Sequence, residues 1–204
     1  MPVFLRTLCG VFILLFATAA LAVPELGKDY SEVTLADGQK PSAEIVEFFW
    51  YGAPGSAMLN DVSETLLLSF PELEWQRIPA VVRSDWRPQA KAYYLAKLSP
   101  KFVTYHQQLF EEMTSGGEPL SDQTSVVAWF AARGENSELM MEQFLSSRMN
   151  AQLVSDKNLL EAVNVPGVPA VLVNGRYLVH AGQHLTRESF LSTLEFLVAL
   201  PKVE

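Results

Sequence analysis

The apolar and polar residues of this chain follow patterns that predict strands and helices in a regular order. Residues 45–51 are almost continuously apolar, which is typical of a strand covered on both faces of its sheet. Residues 54–69 carry apolar side chains at helical spacing, with a proline in the first turn, where its missing N–H leaves nothing unpaired. Residues 74–82 form a second predicted strand. A polar entry segment precedes these elements, with a short edge strand expected near residues 30–33.

Between Pro88 and Asn164 the pattern is wholly helical. It predicts five helices, at residues 89–98, 100–114, 122–132, 138–147 and 151–163. Ser121 and Ser137 are expected to be N-caps, because a short hydroxyl side chain can accept a hydrogen bond from a free N–H of the first turn.

Strands return at residues 170–173 and 177–179, joined by Asn174 and Gly175, a strong signal for a tight hairpin. Thr186 is expected to cap a last helix, residues 187–200. The order β-α-β, helical block, β-β-α predicts an α/β protein with a thioredoxin-like fold and an all-helical insertion. Residues 23–87 and 165–204 would form the thioredoxin-like domain, and residues 88–164 the insertion.

The first 22 residues are typical of a secretory signal peptide. Arg6 and the amino terminus are positive, residues 8–19 are apolar, and residues 20–22 form a small-x-small cleavage site. The apolar run is shorter than the roughly 20 residues that span a bilayer. We therefore expect cleavage before about Val23 rather than an uncleaved anchor.

Composition excludes several functions. The 204 residues carry a formal net charge of −8; residues 1–22 hold one of the 15 Lys/Arg and none of the 23 Asp/Glu, so the remainder carries −9. An acidic surface disfavours nucleic acids and anionic lipids. The single cysteine, Cys9, lies in the predicted signal. The exported chain therefore has no disulfide, cysteine-bound metal or thiol redox centre.

Several segments, taken in order, resemble the DsbA family of periplasmic disulfide oxidoreductases. They are residues 44–49, 87–94, 167–170 and 173–177. The resemblance covers nearly the whole chain after residue 22. It implies a Cys-x-x-Cys centre directly after the first long strand, where this chain reads Ala53-Pro54-Gly55-Ser56.

The resemblance does not carry the family's activity to this chain. The nucleophilic cysteine aligns with Ala53 and the resolving cysteine with Ser56. Thiol–disulfide exchange needs a thiolate. Alanine has no nucleophile, and a serine hydroxyl is almost never ionised at neutral pH. We expect no catalytic residues, and Ser56 is expected to be a capping or surface residue.

The surface around the missing centre is a candidate for peptide binding. The resemblance implies that Val168 and Pro169 form the family's cis-proline loop, whose backbone pairs with an extended client peptide. The simpler interpretation is a rigid turn between a helix and a strand. Trp50 and Tyr51, which end the first long strand, are candidates for lining the same groove.

Glu47 is a carboxylate inside an apolar strand, so it needs a partner or a raised pKa. Arg77, on the next strand, is the expected partner. The resemblance implies a role for such an acid in proton transfer to the cysteines. Since this chain lacks them, we favour a structural pair and expect Glu47→Gln to change stability more than binding.

No pattern in the sequence indicates a metal or a cofactor. His106, His180 and His184 lack metal-ligand spacing, and the last two are expected to be solvated. Three functional hypotheses remain. The first is a non-catalytic protein that binds exported polypeptides or a periplasmic partner. The second is a glutathione-dependent transferase or isomerase. The third is a silent paralogue that keeps only the family's sequence.

Overall fold

The computed structural model describes residues 23–36, 39, 41, 43–117, 119–184 and 186–201. The predicted signal segment lies outside these residues. The strands are β1 Ser31–Glu32, β2 Ile45–Phe49, β3 Trp75–Pro79, β4 Ala170–Val173 and β5 Tyr177–His180. The α-helices are α1 Pro54–Ser69, α2 Arg87–Ala96, α3 Phe102–Thr114, α4 Gln123–Ala131, α5 Ser137–Leu145, α6 Ser147–Val163 and α7 Arg187–Val198.

The strands form one mixed sheet in the order β1-β5-β4-β2-β3. β2 pairs in parallel with β3 and antiparallel with β4, so Phe48 lies opposite Ile78 on one side and Ala170 on the other. All five residues of β2 are buried. Together with the helices between β3 and β4, this sheet confirms the predicted α/β thioredoxin-like fold with a helical insertion.

Helices cover both faces of the sheet. On one face, Leu59 and Leu66 of α1 and Phe190 of α7 pack in one apolar cluster with Ile45 of β2. On the other face, Leu160 of α6 packs with residues of β2, β3 and β4. The continuous apolar pattern of β2 follows from this double cover, because each side of the strand must be apolar.

The inserted helices have an apolar core of their own, which continues into the end of β2. Phe49 and Tyr51 are buried in it with Tyr93 of α2, Leu109 of α3 and Phe130 of α4. The end of β2 therefore lies at the seam between the sheet and the inserted helices. None of the helices among the described residues is both long and apolar enough to cross a bilayer.

Two predicted helix caps are one residue out of place. Asp122, not Ser121, caps α4: its carboxylate accepts a hydrogen bond from the Ser125 N–H at 2.8 Å. Asn136, not Ser137, caps α5, accepting from the Leu139 N–H at 2.9 Å. The cap is one residue later than predicted in α4 and one residue earlier in α5, and in both helices its side-chain oxygen reaches the N–H of the third helical residue.

Side-chain caps also define the beginnings of α6 and α7. Thr186 caps α7 as predicted. α5 and α6 meet at Ser146, which accepts from the Met149 N–H at 3.1 Å, whereas the sequence pattern left residues 148–150 between two helices. A single capping serine is thus enough to separate two consecutive helices.

Candidate functional site

The altered motif lies at the beginning of α1, where the chain leaves β2. Ala53 is the N-cap residue, with an extended backbone and no side-chain cap, and Pro54 opens the helix. Ala53 is half-buried and Pro54 is exposed. The free N–H groups of a 16-residue helix therefore point towards the place where the resemblance puts a reactive sulfur.

Ser56 is fully buried, so the expectation of a surface or capping serine is wrong. Its hydroxyl oxygen accepts a hydrogen bond from the Trp50 N–H at 3.3 Å. This bond takes the Trp50 N–H out of the sheet, and β2 ends at Phe49 instead of the predicted residue 51. A hydroxyl used in this way, without contact with solvent, cannot attack a substrate.

The loop before β4 packs directly on the altered motif. The peptide bond between Val168 and Pro169 is cis. A Cβ built on Gly55 would lie 3.0 Å from Pro169 Cδ, so the absence of a side chain at Gly55 permits this close approach. The Pro169 carbonyl accepts a hydrogen bond from the Ala181 N–H at 3.1 Å.

Val168, in contrast, keeps its backbone groups free. Within the described residues, neither its N–H nor its C=O makes a hydrogen bond. Its side chain is half-buried. A donor and an acceptor are thus available one residue before a buried proline, at the edge of the altered motif.

Trp50 contributes a partly exposed aromatic surface at the same end of the sheet. Its ring stacks face to face on Trp86, with ring centroids 4.0 Å apart and planes within 6°. Its Nε1–H donates to Gln89 Oε1 at 3.4 Å. On the motif side, a Cβ on Gly52 would collide with the ring. The Trp50 ring is held in one position beside the Ala53 turn.

Tyr51 does not line this surface. Its side chain is 1% exposed and lies in the core of the inserted helices, where its hydroxyl and His106 Nδ1 are 2.7 Å apart. The chain turns after β2, so consecutive aromatic residues point to opposite sides: Trp50 outwards and Tyr51 inwards. The tyrosine ring is therefore removed from the candidate surface.

Glu47 and Arg77 lie side by side on paired strands. Arg77 Nε is 3.0 Å from Glu47 Oε2, and the Glu47 side chain has no exposed surface. Trp75 Nε1–H donates to the same oxygen at 2.8 Å, and Arg77 Nη2 donates to Ser63 Oγ at 2.8 Å. The other oxygen, Glu47 Oε1, is buried and has no hydrogen-bond partner in the described part of the chain.

Burial raises the pKa of Glu47, although the Arg77 charge and the Trp75 hydrogen bond act in the opposite direction. Desolvation outweighs the ion pair because the carboxylate is fully buried and, within the described residues, no donor reaches one of its oxygens. The ionised form thus costs free energy in the folded state. The Glu47–Arg77 pair links β2 to β3 beneath the altered motif, and no thiol lies within the described residues for it to serve.

His106 is a second buried titratable group beneath the motif. It is 5% exposed and surrounded by aromatic rings, and its Nε2 has no hydrogen-bond partner among the residues that the structure describes. Burial, with a contribution from the Arg77 charge, lowers the pKa of His106 to about 3. Burial also raises the pKa of Tyr51, so the tyrosine stays protonated and can donate to the neutral imidazole.

We predict that His106 makes the protein sensitive to acid. Because its folded pKa lies below the ordinary value of 6.5, the unfolded chain takes up the proton first as the pH falls. The buried neutral imidazole therefore contributes fully to the free energy of unfolding above pH 6.5. This contribution is lost as the pH falls from 6.5 towards 3, by up to about 1.4 kcal/mol per pH unit. His106→Phe should remove this dependence, measured by urea unfolding between pH 6 and pH 4.

Tyr51→Phe is the control, because it deletes the hydrogen bond but keeps the buried imidazole. It should lower stability by about 1 kcal/mol at every pH and keep the acid dependence. An unchanged pH profile in His106→Phe would contradict the assignment.

The remaining histidines do not form a site. His180 Nδ1 accepts from the Gly182 N–H at 3.2 Å, and His184 Nε2 lies 2.8 Å from the Asp29 carbonyl oxygen. Both are half-buried rather than solvated as expected. In the part of the chain that the structure describes, no three His, Cys, Asp or Glu side chains come together as a possible metal site.

The fold and this arrangement define a class: a thioredoxin-like protein with a helical insertion and a cis-proline loop on an altered motif. The family model "DSBA-like thioredoxin domain" matches residues 57–189. The chain belongs to this family.

Individual relatives agree with this assignment. The chain is 26% identical over 189 residues to the thiol:disulfide interchange protein DsbA of Pseudomonas syringae pv. tomato, covering 90% of this chain and 88% of the relative. The crystal structure of Pseudomonas aeruginosa DsbA is similar, with a TM-score of 0.72 at 24% identity, covering 86% and 93% of the two chains.

A structure of a Proteus mirabilis DsbA variant with a non-covalently bound peptide has a TM-score of 0.69 at 18% identity, covering 87% and 97% of the two chains. This likeness shows the common fold.

Proposed function

We propose that this chain is an exported, non-catalytic member of the DsbA-like family that holds extended polypeptides at the Val168–Pro169 loop. The observation that carries the proposal is the free N–H and C=O of Val168 beside the altered motif. An extended peptide can add to such a backbone edge as an extra strand, with two hydrogen bonds independent of its sequence. The half-exposed Trp50–Trp86 stack next to it offers apolar surface for a client side chain.

The absence of chemistry at the motif supports a binding role. After residue 22 the chain has no cysteine. Ser56 has no exposed surface, and its oxygen already accepts the Trp50 N–H. A glutathione-dependent enzyme of this fold would need a side chain at the helix start that contacts the thiol of glutathione. Ala53 has no such group and Ser56 is buried, so neither motif position supports this alternative.

Two further points accompany the proposal. We propose that residues 1–22 direct the chain to the periplasm, where unfolded polypeptides arrive after export. Peptide binding without covalent chemistry has a parallel in the fold: the Proteus mirabilis DsbA variant holds its peptide non-covalently. For this chain, the clients would be extended exported polypeptides or an extended segment of a periplasmic partner.

The test is a backbone NMR titration with a reduced, unfolded peptide and, separately, with glutathione. We expect saturable shifts at residues 52–56 and 167–170 with the peptide, and none with glutathione. Single N-methylation along the peptide is the matched control. Methylation at the residue whose N–H bonds the Val168 carbonyl should weaken binding by about fivefold to tenfold, and methylation elsewhere much less.

Each other outcome counts against the proposal. Glutathione binding with turnover would favour the enzyme. Peptide binding that is indifferent to every N-methyl group would exclude strand addition. Shifts with neither ligand would leave a silent paralogue.

A further inference from the structure

A cavity of about 330 Å³ lies on the inserted helices, between the end of α2, the end of α5 and the beginning of α6. Lys97 and Leu98 border it from α2, Gln143 from α5, and Arg148 and Met149 from α6. None of its lining residues belongs to the altered motif or to the Val168–Pro169 loop. Its volume is at the lower end of the range for small-molecule pockets.

The two cations at this cavity differ from all other lysines and arginines of the described residues. The others are held by a carboxylate or a hydrogen-bond acceptor of the protein: Lys28, Arg77, Arg83, Lys101, Arg133, Lys157 and Arg176 in salt bridges, and Arg87, Lys91 and Arg187 in hydrogen bonds. Within the described residues Lys97 and Arg148 have neither, and the Lys97 ammonium only lies over the Tyr93 ring, 5.7 Å from its centroid. Both border the same cavity.

The carboxylate beneath the cavity does not satisfy them. Asp156 is 4% exposed, and its two oxygens accept hydrogen bonds from Tyr94 Oη at 2.6 Å and Gln152 Nε2 at 2.8 Å. Its charge acts on Lys97 at a distance, without an ion pair. The chain has a net charge of −8, yet two cations without a carboxylate partner border one cavity. Their positive charge can therefore attract an external anion.

Three other lining residues offer apolar surface, whereas the polar side chains of Ser146 and Gln152 are already hydrogen-bonded within the protein. Met149 is 7% exposed, Leu98 is 57% exposed, and the ring of Tyr94 is half-buried. The side-chain amide of Gln143 makes no hydrogen bond within the described residues, so it can donate to an oxygen. The lining thus combines two cations with the apolar surfaces of Leu98, Met149 and Tyr94, which matches a ligand that is charged at one end and apolar at the other.

We propose that this cavity binds small organic carboxylates with an apolar chain, held by Lys97 and Arg148 through charge-assisted hydrogen bonds. The site is separate from the peptide-binding loop, and it does not depend on the proposed function. The guanidinium of Arg148 can take both oxygens of a carboxylate, whereas Lys97 acts as a point charge.

The experiment is an NMR titration of the purified protein with octanoate, octanol and acetate. Octanoate has the charge and the apolar chain, octanol only the chain, and acetate only the charge. We expect saturable shifts at residues 94–98 and 143–152 with octanoate, and affinities at least about fivefold weaker with the other two. Added salt should weaken the octanoate complex.

The variant that tests the site is Lys97→Gln with Arg148→Gln, which should weaken octanoate binding by about tenfold. Lys157→Gln with Arg176→Gln is the matched control. It removes the same charge from two exposed ion pairs elsewhere and should leave the affinity within about twofold. If both variants weakened octanoate binding equally, the effect would come from net charge alone, and the proposed site would be wrong. It would also be wrong if octanol bound as tightly as octanoate, if shifts were confined to other residues, or if no shift were saturable.

Discussion

Replacing Ala53→Cys together with Ser56→Cys is expected to turn this chain into a protein that oxidises reduced peptides. The first introduced sulfur would sit at the N-cap of α1, where the helix dipole and the free N–H groups stabilise a thiolate. The second would replace a buried oxygen of similar size one helical turn later. The Pro169 loop already packs on the motif through Gly55. We expect turnover in the double variant and none in the unaltered chain.

The reaction is a two-electron exchange. The variant is first oxidised by an excess of oxidised glutathione, so that the two introduced sulfurs are joined. A peptide thiolate then attacks the first sulfur and displaces the second as a thiolate. A second thiol of the peptide attacks the mixed disulfide, which leaves the peptide oxidised and the protein reduced.

The single variants separate the two roles. Ala53→Cys alone should form stable mixed disulfides, because nothing resolves them. Ser56→Cys alone should react slowly, because its sulfur is buried. Oxidation is followed by the loss of free thiols from a fluorescent dithiol peptide. A folded double variant that forms its disulfide but leaves the peptide reduced would show that the loop no longer presents peptides to the motif.

Arg77→Met is expected to be strongly destabilising, because it leaves the Glu47 carboxylate buried without its cation. The carboxylate can escape the cost only by taking up a proton. At pH 7 protonation costs about 1.4 kcal/mol for each pH unit above the ordinary pKa of 4.5, or about 3.5 kcal/mol in total. The loss of the Arg77 hydrogen bond to Ser63 adds to this. Methionine keeps the apolar stem of the side chain.

The pH dependence has a definite sign. Burial already raises the pKa of Glu47 in the folded protein. A raised folded pKa means that stability is greatest below the unfolded value and is lost as the pH rises through the folded one. Arg77→Met extends this loss to higher pH. The destabilisation should therefore shrink to about 1 kcal/mol at pH 5, measured by urea unfolding.

Two variants serve as controls. Arg176→Met breaks an exposed pair with Glu32, whose side chains are 43% and 45% exposed, and should have an effect below about 0.5 kcal/mol at either pH. Glu47→Gln removes the titrating group, so it should flatten the pH profile without changing peptide binding. Lost binding at unchanged stability in Glu47→Gln would contradict the structural role of the pair. A loss in Arg77→Met that is equal at pH 5 and pH 7 would contradict the electrostatic account.

Much of the fold could be predicted from local pattern. The bounds of α1 and β4 agree with the prediction to the residue. A proline marks the beginning of α1, and a short apolar run with two valines defines β4. Errors occurred where two neighbouring residues can do the same task. Asp122 and Asn136 cap helices in place of the adjacent serines. Such competition is decided by a few degrees of backbone geometry, which sequence does not reveal.

The site was less predictable because burial depends on distant segments. Ser56 lies two residues after an exposed proline and resembles a surface residue, yet it is fully buried and its oxygen accepts the Trp50 N–H. Trp50 and Tyr51 are adjacent in sequence, but the turn after β2 orients their side chains in opposite directions. The Trp50 ring stacks on Trp86, and the Tyr51 hydroxyl contacts His106. The orphaned nitrogen of His106 gives no sequence signal.

The class of fold and the lack of a cysteine at the altered motif can both be read from the amino-acid sequence. Strand and helix periodicity are local properties, and a missing cysteine cannot be supplied by folding. Which polar groups keep free hydrogen-bonding capacity follows from tertiary packing. Within the described residues, the backbone N–H and C=O of Val168 make no hydrogen bond, and Lys97 and Arg148 make neither a hydrogen bond nor an ion pair, because packing places no such partner beside them. Whether a polar group finds a hydrogen-bond partner depends on residues that are distant in the chain, so a local sequence pattern cannot predict it.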